Sequence, residues 1–208
     1  LLDEDMPVMW RGPMIHKFIE QFLQDVDWGE LDYLLVDMPP GTGDAQISLS
    51  QIVPLSGAVL VTTPQAVSTH DVSKAIGMFK EVNVDVLGVV ENMAGLSISG
   101  RIDGATAGTK LHLELGEHAE QPTVGSDGSF ATVLDLFGSG GAQRLASKYD
   151  FPVLGEIPID PSVRIGGDEG TPVVVSHPDS AVAQSFRTTA RILAGKVSQI
   201  GRLGSVTV

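Results

Sequence analysis

Between Trp28 and Asp44 the chain reads Trp-Gly-Glu-Leu-Asp-Tyr-Leu-Leu-Val-Asp-Met-Pro-Pro-Gly-Thr-Gly-Asp, and no other stretch restricts the fold so tightly. A short apolar run, Tyr33 to Val36, leads into a single carboxylate, Asp37, and then into a stiff turn. Pro39 and Pro40 fix φ and remove two backbone donors, while Gly41 and Gly43 permit close backbone approach or positive φ. A buried strand that carries one acid to its carboxyl end is a common way for α/β proteins to hold Mg²⁺ near a phosphate. A strand and tight loop without a ligand would use the same residues. The order strand, acid, turn favours the ligand.

Composition sets the outer bounds. With 208 residues the chain fits one ordinary domain, long enough to bury a core. Hydrophobic residues make up 42% and charged residues 19%, the balance of a soluble globular protein. No apolar run approaches the roughly 20 residues of a membrane span. A net charge of −13 argues against a nucleic-acid partner, which would call for a basic face. The absence of cysteine excludes disulfides, thiol catalysis and any thiolate-held metal cluster supplied by this chain. His16, His70, His112, His118 and His177 are scattered, without metal-ligand spacing. The amino terminus, Leu-Leu-Asp-Glu-Asp, has neither an initiator Met nor a basic segment before an apolar one, so it is not read as a signal peptide. It reads as the interior of a longer protein.

Periodicity gives an alternation of helices and strands. Ile15, Phe18, Ile19, Phe22 and Leu23 predict an amphipathic helix over 14–26, with Pro13 suited to its first turn. A strand over 31–36 and the Pro-Pro-Gly loop follow, then a short helix from Asp44, its cap, to Ile52. Gly57 to Thr63 is a second strand pattern, stopped by Pro64. Ser68-Thr-His-Asp71 predicts a capping box ahead of a helix over 72–81. Val84 to Glu91 is a third strand ending at Asn92, Phe151 to Ile157 a fourth ending at Pro158, and a last helix covers 180–193. The fold class is therefore α/β, a mostly parallel sheet flanked by helices on both faces. Residues 94–137 break this rhythm with short alternating runs at 111–115 and 130–136 and turn signals at Asp103-Gly104 and Asp127-Gly128. They predict a small β-rich insertion.

In a parallel sheet the strands' carboxyl ends share one edge, and ligands bind there. Asp37, Thr62-Thr63-Pro64, Asn92, and Pro158 with Asp160 fall on that rim. Asp37 could hold a metal-bound water, and the Asn92 amide could read a purine edge through its paired donor and acceptor. A competing pattern lies at Gly138-Ser-Gly140-Gly-Ala-Gln143, a near match to G-x-G-x-x-G with Glu156 downstream as a ribose acid. Gln143 replaces the third glycine and no βαβ unit surrounds the run, so it reads as a loop leading into a helix over 142–149.

These residues resemble the Mrp family of P-loop ATPases, relatives of the MinD and ParA proteins known as iron–sulfur cluster carriers. Trp28 to Asp44 matches the family signature W-x-x-L-D-Y-[LIV]3-D-x-P-P-G-T-G-D at each fixed position. Met6 to Met14, Val61 to Gln65, Glu91-Asn-Met93, Phe137 to Gly141, Gly155 to Asp160 and Arg164 to Pro178 continue the likeness in order. The resemblance implies the carboxy-terminal part of one P-loop NTPase domain over 1–208, in a cytoplasmic ATP-binding, ATP-hydrolysing homodimer. Asp37 would bind Mg²⁺, Gly41, Thr42, Gly43 and Asp44 would form the switch that senses the γ-phosphate, and Asn92, Pro158, Ile159 and Asp160 would contact the adenine. Iron–sulfur client proteins would be its partners, without nucleic acid or membrane.

Two departures qualify this. No G-x-x-x-x-G-K-[ST] occurs in the chain, and in the family that loop lies upstream of the position of Leu1. Cluster-carrying members usually place a C-x-x-C pair shortly after the position of Met93, and here there is no cysteine. A MinD/ParA-like regulatory ATPase without metal clusters, and a non-catalytic protein-binding module, are the alternatives.

Overall fold

A computed structural model of the protein describes residues 12–38, 43, 47, 49, 50, 52, 53, 55–116 and 118–204. In chain order its elements are α1 (Gly12–Gln24), β1 (Ala58–Thr62), α2 (Ala66–Glu81), β2 (Val86–Arg101), β3 (Leu113–Leu115), β4 (His118–Glu120), β5 (Ser129–Leu134), α3 (Gly141–Tyr149), β6 (Val153–Ile159), α4 (Pro161–Asp168), α5 (Val173–Ser176) and α6 (Ala181–Gly204).

The longest strand, β2, organises the sheet. Val89 bridges to Leu60 on one side and to Val153 on the other, so β1 and β6 flank the first half of β2, both parallel to it. Leu96 bridges to both Leu134 and Ile159, which puts β5 on the edge that β1 has vacated, now antiparallel. The first half reads Val-Leu-Gly-Val-Val and is covered on both faces, the burial expected of a parallel sheet. On one face α2 and α3 pack through Ile76, Phe79, Ala142 and Leu145 against Leu60 and Val89. On the other, Val173 of α5 and Val182 of α6 meet Val90, Leu154 and Ile157. This is the α/β architecture with flanking helices that the sequence predicts. No helix among the described residues is long and apolar enough to cross a membrane.

Several elements differ from expectation. Helix α2 starts at Ala66, not Val72, and its N-cap Gln65 makes no side-chain cap. The expected capping box does not form. Ser68 lies inside the helix, and its Oγ is bonded to Thr62 Oγ (2.9 Å) and accepts from Thr63 N (3.0 Å). Asp71 pairs with Lys74 instead, at 2.9 Å. The third strand does not stop at Asn92 but continues to Arg101 after a register shift at Met93, whose φ is 57°. The fourth includes Pro158 and ends at Ile159. Among the described residues β6 pairs only with β2, so an edge strand absorbs the proline's missing N–H.

The largest correction concerns 31–36. This run forms no strand, and its apolar side chains are exposed, Leu35 by 82%. A strand needs a neighbour for its N–H and C=O groups, and no described strand pairs with it. Of the short helix expected over 44–52, Ile47, Leu49, Ser50 and Ile52 are helical, and Leu49 is buried. Its expected cap, Asp44, lies outside the described residues.

Within 94–137 the chain forms the second half of β2, the β3–β4 hairpin, a bridge between Lys110 and Thr123, and β5. Val124 is buried, and its N–H donates to Thr109 O at 2.8 Å.

Candidate functional site

The sheet's register brings part of the predicted rim together. Thr62, Glu91 and Glu156 are neighbours across β1, β2 and β6, and Asn92 lies opposite Ile157. Pro158, Ile159 and Asp160 therefore follow immediately beside Asn92. The Asn92 Oδ accepts from Met93 N at 2.9 Å, leaving the amide's donor side without a protein partner among the described residues. Asp160 serves as N-cap of α4: its Oδ accepts from Ser162 N (2.8 Å) and Ser162 Oγ (2.6 Å), with Pro161 opening the helix. At the end of β1, Thr62 is 2% exposed, and the hydroxyl of Thr63 donates to the side-chain carbonyl of Gln65.

The feature that sequence reasoning missed is Glu91, a carboxylate only 2% exposed. One of its oxygens accepts from Gly140 N at 3.3 Å and the other from Ala142 N at 2.6 Å. The glycine run that nearly matches a dinucleotide loop thus wraps an acid of the protein itself, at the start of α3. Unpaired amides and the helix dipole make a helix N-terminus a natural seat for negative charge. Gly140 is the N-cap, in the left-handed conformation and with no side chain to cap the helix. A β-carbon on Gly141 would lie 2.9 Å from Pro64 Cα and from Pro64 O, so only glycine allows that approach. Arg144 completes the junction, donating to Ser139 O at 2.8 Å and to Pro64 O at 3.0 Å. The available signal was a carboxylate at the end of an otherwise apolar run, where burial demands a partner.

Glu91, Asp135 and Glu156 line a cavity of about 140 Å³ beside Gly138, Ser139 and Gly140. One Asp135 oxygen there is buried without a hydrogen-bond partner among the described residues. Glu156 is the neighbour of Glu91 across the sheet and faces the same glycine loop.

Asp37 is not joined to this rim. It is exposed in the irregular segment after Val36, and no hydrogen bond or ion pair to it occurs among the described residues. Trp28, at the head of the segment, stacks edge-on against Phe22 of α1, their centroids 5.0 Å apart. Gly43 is exposed; Gly41, Thr42 and Asp44 lie outside the described residues. An accessible carboxylate with no protein partner among the described residues suits Mg²⁺, which keeps several waters and takes one or two carboxylates plus substrate phosphates. No group of three or more His, Asp or Glu side chains among the described residues is arranged to hold a metal ion.

The chain is similar to known proteins in sequence and fold. The family model described as ParA, NUBPL iron-transfer P-loop NTPase matches residues 1–106 and 127–194, leaving out the β3–β4 hairpin. The iron–sulfur cluster carrier protein of Synechocystis sp. is 45% identical over 95% of this chain and 48% of the relative. The chain spans about half the length of the curated relatives it matches. Among solved structures, the nucleotide-binding protein of Archaeoglobus fulgidus in complex with ADP is 37% identical, with a TM-score of 0.53 over 80% of this chain and 55% of the other. The cell division ATPase MinD of Pyrococcus furiosus, 21% identical, shares the fold with a TM-score of 0.54 over 91% of this chain and 59% of the other.

Proposed function

Because the chain belongs to the ParA/NUBPL family of iron-transfer P-loop NTPases, we propose that it is the carboxy-terminal part of an ATP-binding, ATP-hydrolysing carrier or assembly factor for iron–sulfur clusters. One observation carries the reading: Asn92 and the Pro158–Asp160 segment, the end of β6 and the cap of α4, lie side by side at the carboxyl edge of a parallel strand pair. There Asn92 would offer its free amide donors to the adenine, while Pro158, Ile159 and Asp160 close over the base. Gly41 to Asp44 would form the switch next to the γ-phosphate. Asp37 would hold Mg²⁺ through water, and the ion would offset phosphate charge. Hydrolysis is attack by water on the γ-phosphorus with release of ADP and phosphate, in which the protein mainly positions groups and stabilises charge. The glycine-rich lysine loop is not in this sequence, so turnover is a property proposed for the full-length protein.

The protein would act as a cytoplasmic homodimer, with 94–137 as a β-rich insertion in its NTPase domain. The cluster is cargo. With no cysteine here, any thiolate ligands would have to come from outside these 208 residues. That absence favours a second reading, a MinD/ParA-like regulatory ATPase that handles no cluster.

Two measurements on the full-length protein decide. Magnesium-dependent ATP turnover is expected, falling on the order of 100-fold in Asp37→Ala. Unchanged turnover in that variant would remove Asp37 from the site. Anaerobic reconstitution with iron and sulfide should leave iron bound after desalting, and a protein that retains none is the regulatory ATPase.

A further inference from the structure

We infer that Glu91 is the positioning residue of the nucleotide rim, a role that rests on the ATP-binding reading above. Stability alone gives little reason for it. A buried acid without a cation is costly, and a helix is ordinarily capped by a side chain beside its own first turn. The chain instead has glycine there and draws the cap from a strand 49 residues away. What this arrangement gains is placement. Glu91 and Asn92 are consecutive in β2, so their side chains point to opposite faces of the sheet. Fixing the Glu91 carboxylate on the Gly140 and Ala142 amides fixes the backbone from which Asn92 projects.

The same loop is held to the end of β1 by the Arg144 bond to Pro64 O and by the close seating of Gly141. Three carboxyl-edge segments therefore share one clamp: Thr62–Pro64, Glu91–Asn92 and 138–141. Glu156, directly across the sheet from Glu91, would repel an uncapped acid, and the two amides offset that repulsion. Glu91 touches no nucleotide in this scheme. It acts through Asn92.

The test is steady-state ATP and GTP turnover by the full-length protein, with thermal melts alongside. Glu91→Gln keeps the shape but turns an amide donor toward backbone donors. It should raise KM for ATP about tenfold, leave kcat within about twofold, and narrow the preference for ATP over GTP. Asn92→Ala should raise KM in the wild-type background and add almost nothing in Glu91→Gln, the coupling of residues that act as one. A plain helix cap would lower the melting temperature and leave KM and base preference unchanged in the folded protein; that result overturns the inference. So does full additivity of the two substitutions, or an Asn92→Ala variant with wild-type KM, and either would leave ATP turnover standing. If Glu91→Gln does not fold, Glu91→Asp keeps the charge and draws it back by one methylene. It should raise KM about threefold, and a folded Glu91→Asp with wild-type KM and base preference overturns the inference equally. Wild-type protein without ATP turnover would sink both readings.

Discussion

The two halves of β2 are one continuous strand in two different environments. From Val86 to Val90 it is apolar at every position but one glycine, parallel to both neighbours and buried under helices on both faces. From Leu96 to Arg101 it alternates Leu-Ser-Ile-Ser-Gly-Arg, pairs antiparallel with β5, and shows a polar face to solvent. The change comes within four residues, at the Met93 kink. What surrounds a strand, not the strand itself, decides which pattern its sequence carries. The buried half has no slack. The outer half has room to adjust.

Substitutions in each half test that contrast. Gly88→Ala should have the largest effect. At φ 153° a β-carbon there would lie 2.6 Å from Leu154 Cγ and from Pro152 O, so a loss of about 4 kcal/mol or more in urea unfolding is expected. Phe130→Ala, on β5 opposite Gly100, should cost about 1–2 kcal/mol and leave the amide-exchange protection of the buried half unchanged. Gly100→Ala should cost under about 1 kcal/mol, because the only close atoms, at 2.9 and 3.0 Å, belong to the outer end of the Phe130 ring, which can tilt. A Gly100→Ala penalty as large as that of Gly88→Ala would break the comparison.

Asp127→Ala should have the smallest effect, confined to the turn before β5. Asp127 Oδ accepts from Ser129 Oγ (2.7 Å) and Ser129 N (3.0 Å), and these bonds hold its carboxyl below the usual carboxylate range. A lowered folded value means the contribution is fully present above the ordinary carboxylate pKa. It is lost as pH falls through the lowered one. The variant should therefore exchange its Ser129 amide faster at neutral pH and match the wild type in strong acid.

Most of the parallel framework was readable in the sequence, because strands buried on both faces leave continuous apolar runs. Residues 57–63, 84–91 and 151–157 all lead into strands of the sheet, and Asn92 does stand beside the end of β6. The failures were non-local. Ser68 has the right chemistry and spacing to cap a helix, yet its hydroxyl is taken by Thr62 and Thr63. Residues 94–101 fall within the expected insertion 94–137, yet they continue β2, because a break in rhythm does not reveal that a strand has only changed partners. Tyr33 to Val36 is an unbroken apolar run much like Val86 to Val90, and hydrophobicity alone cannot supply a ladder. At the site, Glu91 escaped because capping rules look at the residues beside a helix.

That borrowed cap bears on the order of assembly. The first-turn amides of helix α3 lack their carboxylate partner until a segment 51 residues earlier in the chain has taken its place in the sheet. Nucleation of this helix is thereby tied to a long-range closure, and the two should open and close together in native-state exchange. A chain caught before that closure would hold a frayed glycine loop against a bare carboxylate, a species marked for rearrangement rather than for nucleotide.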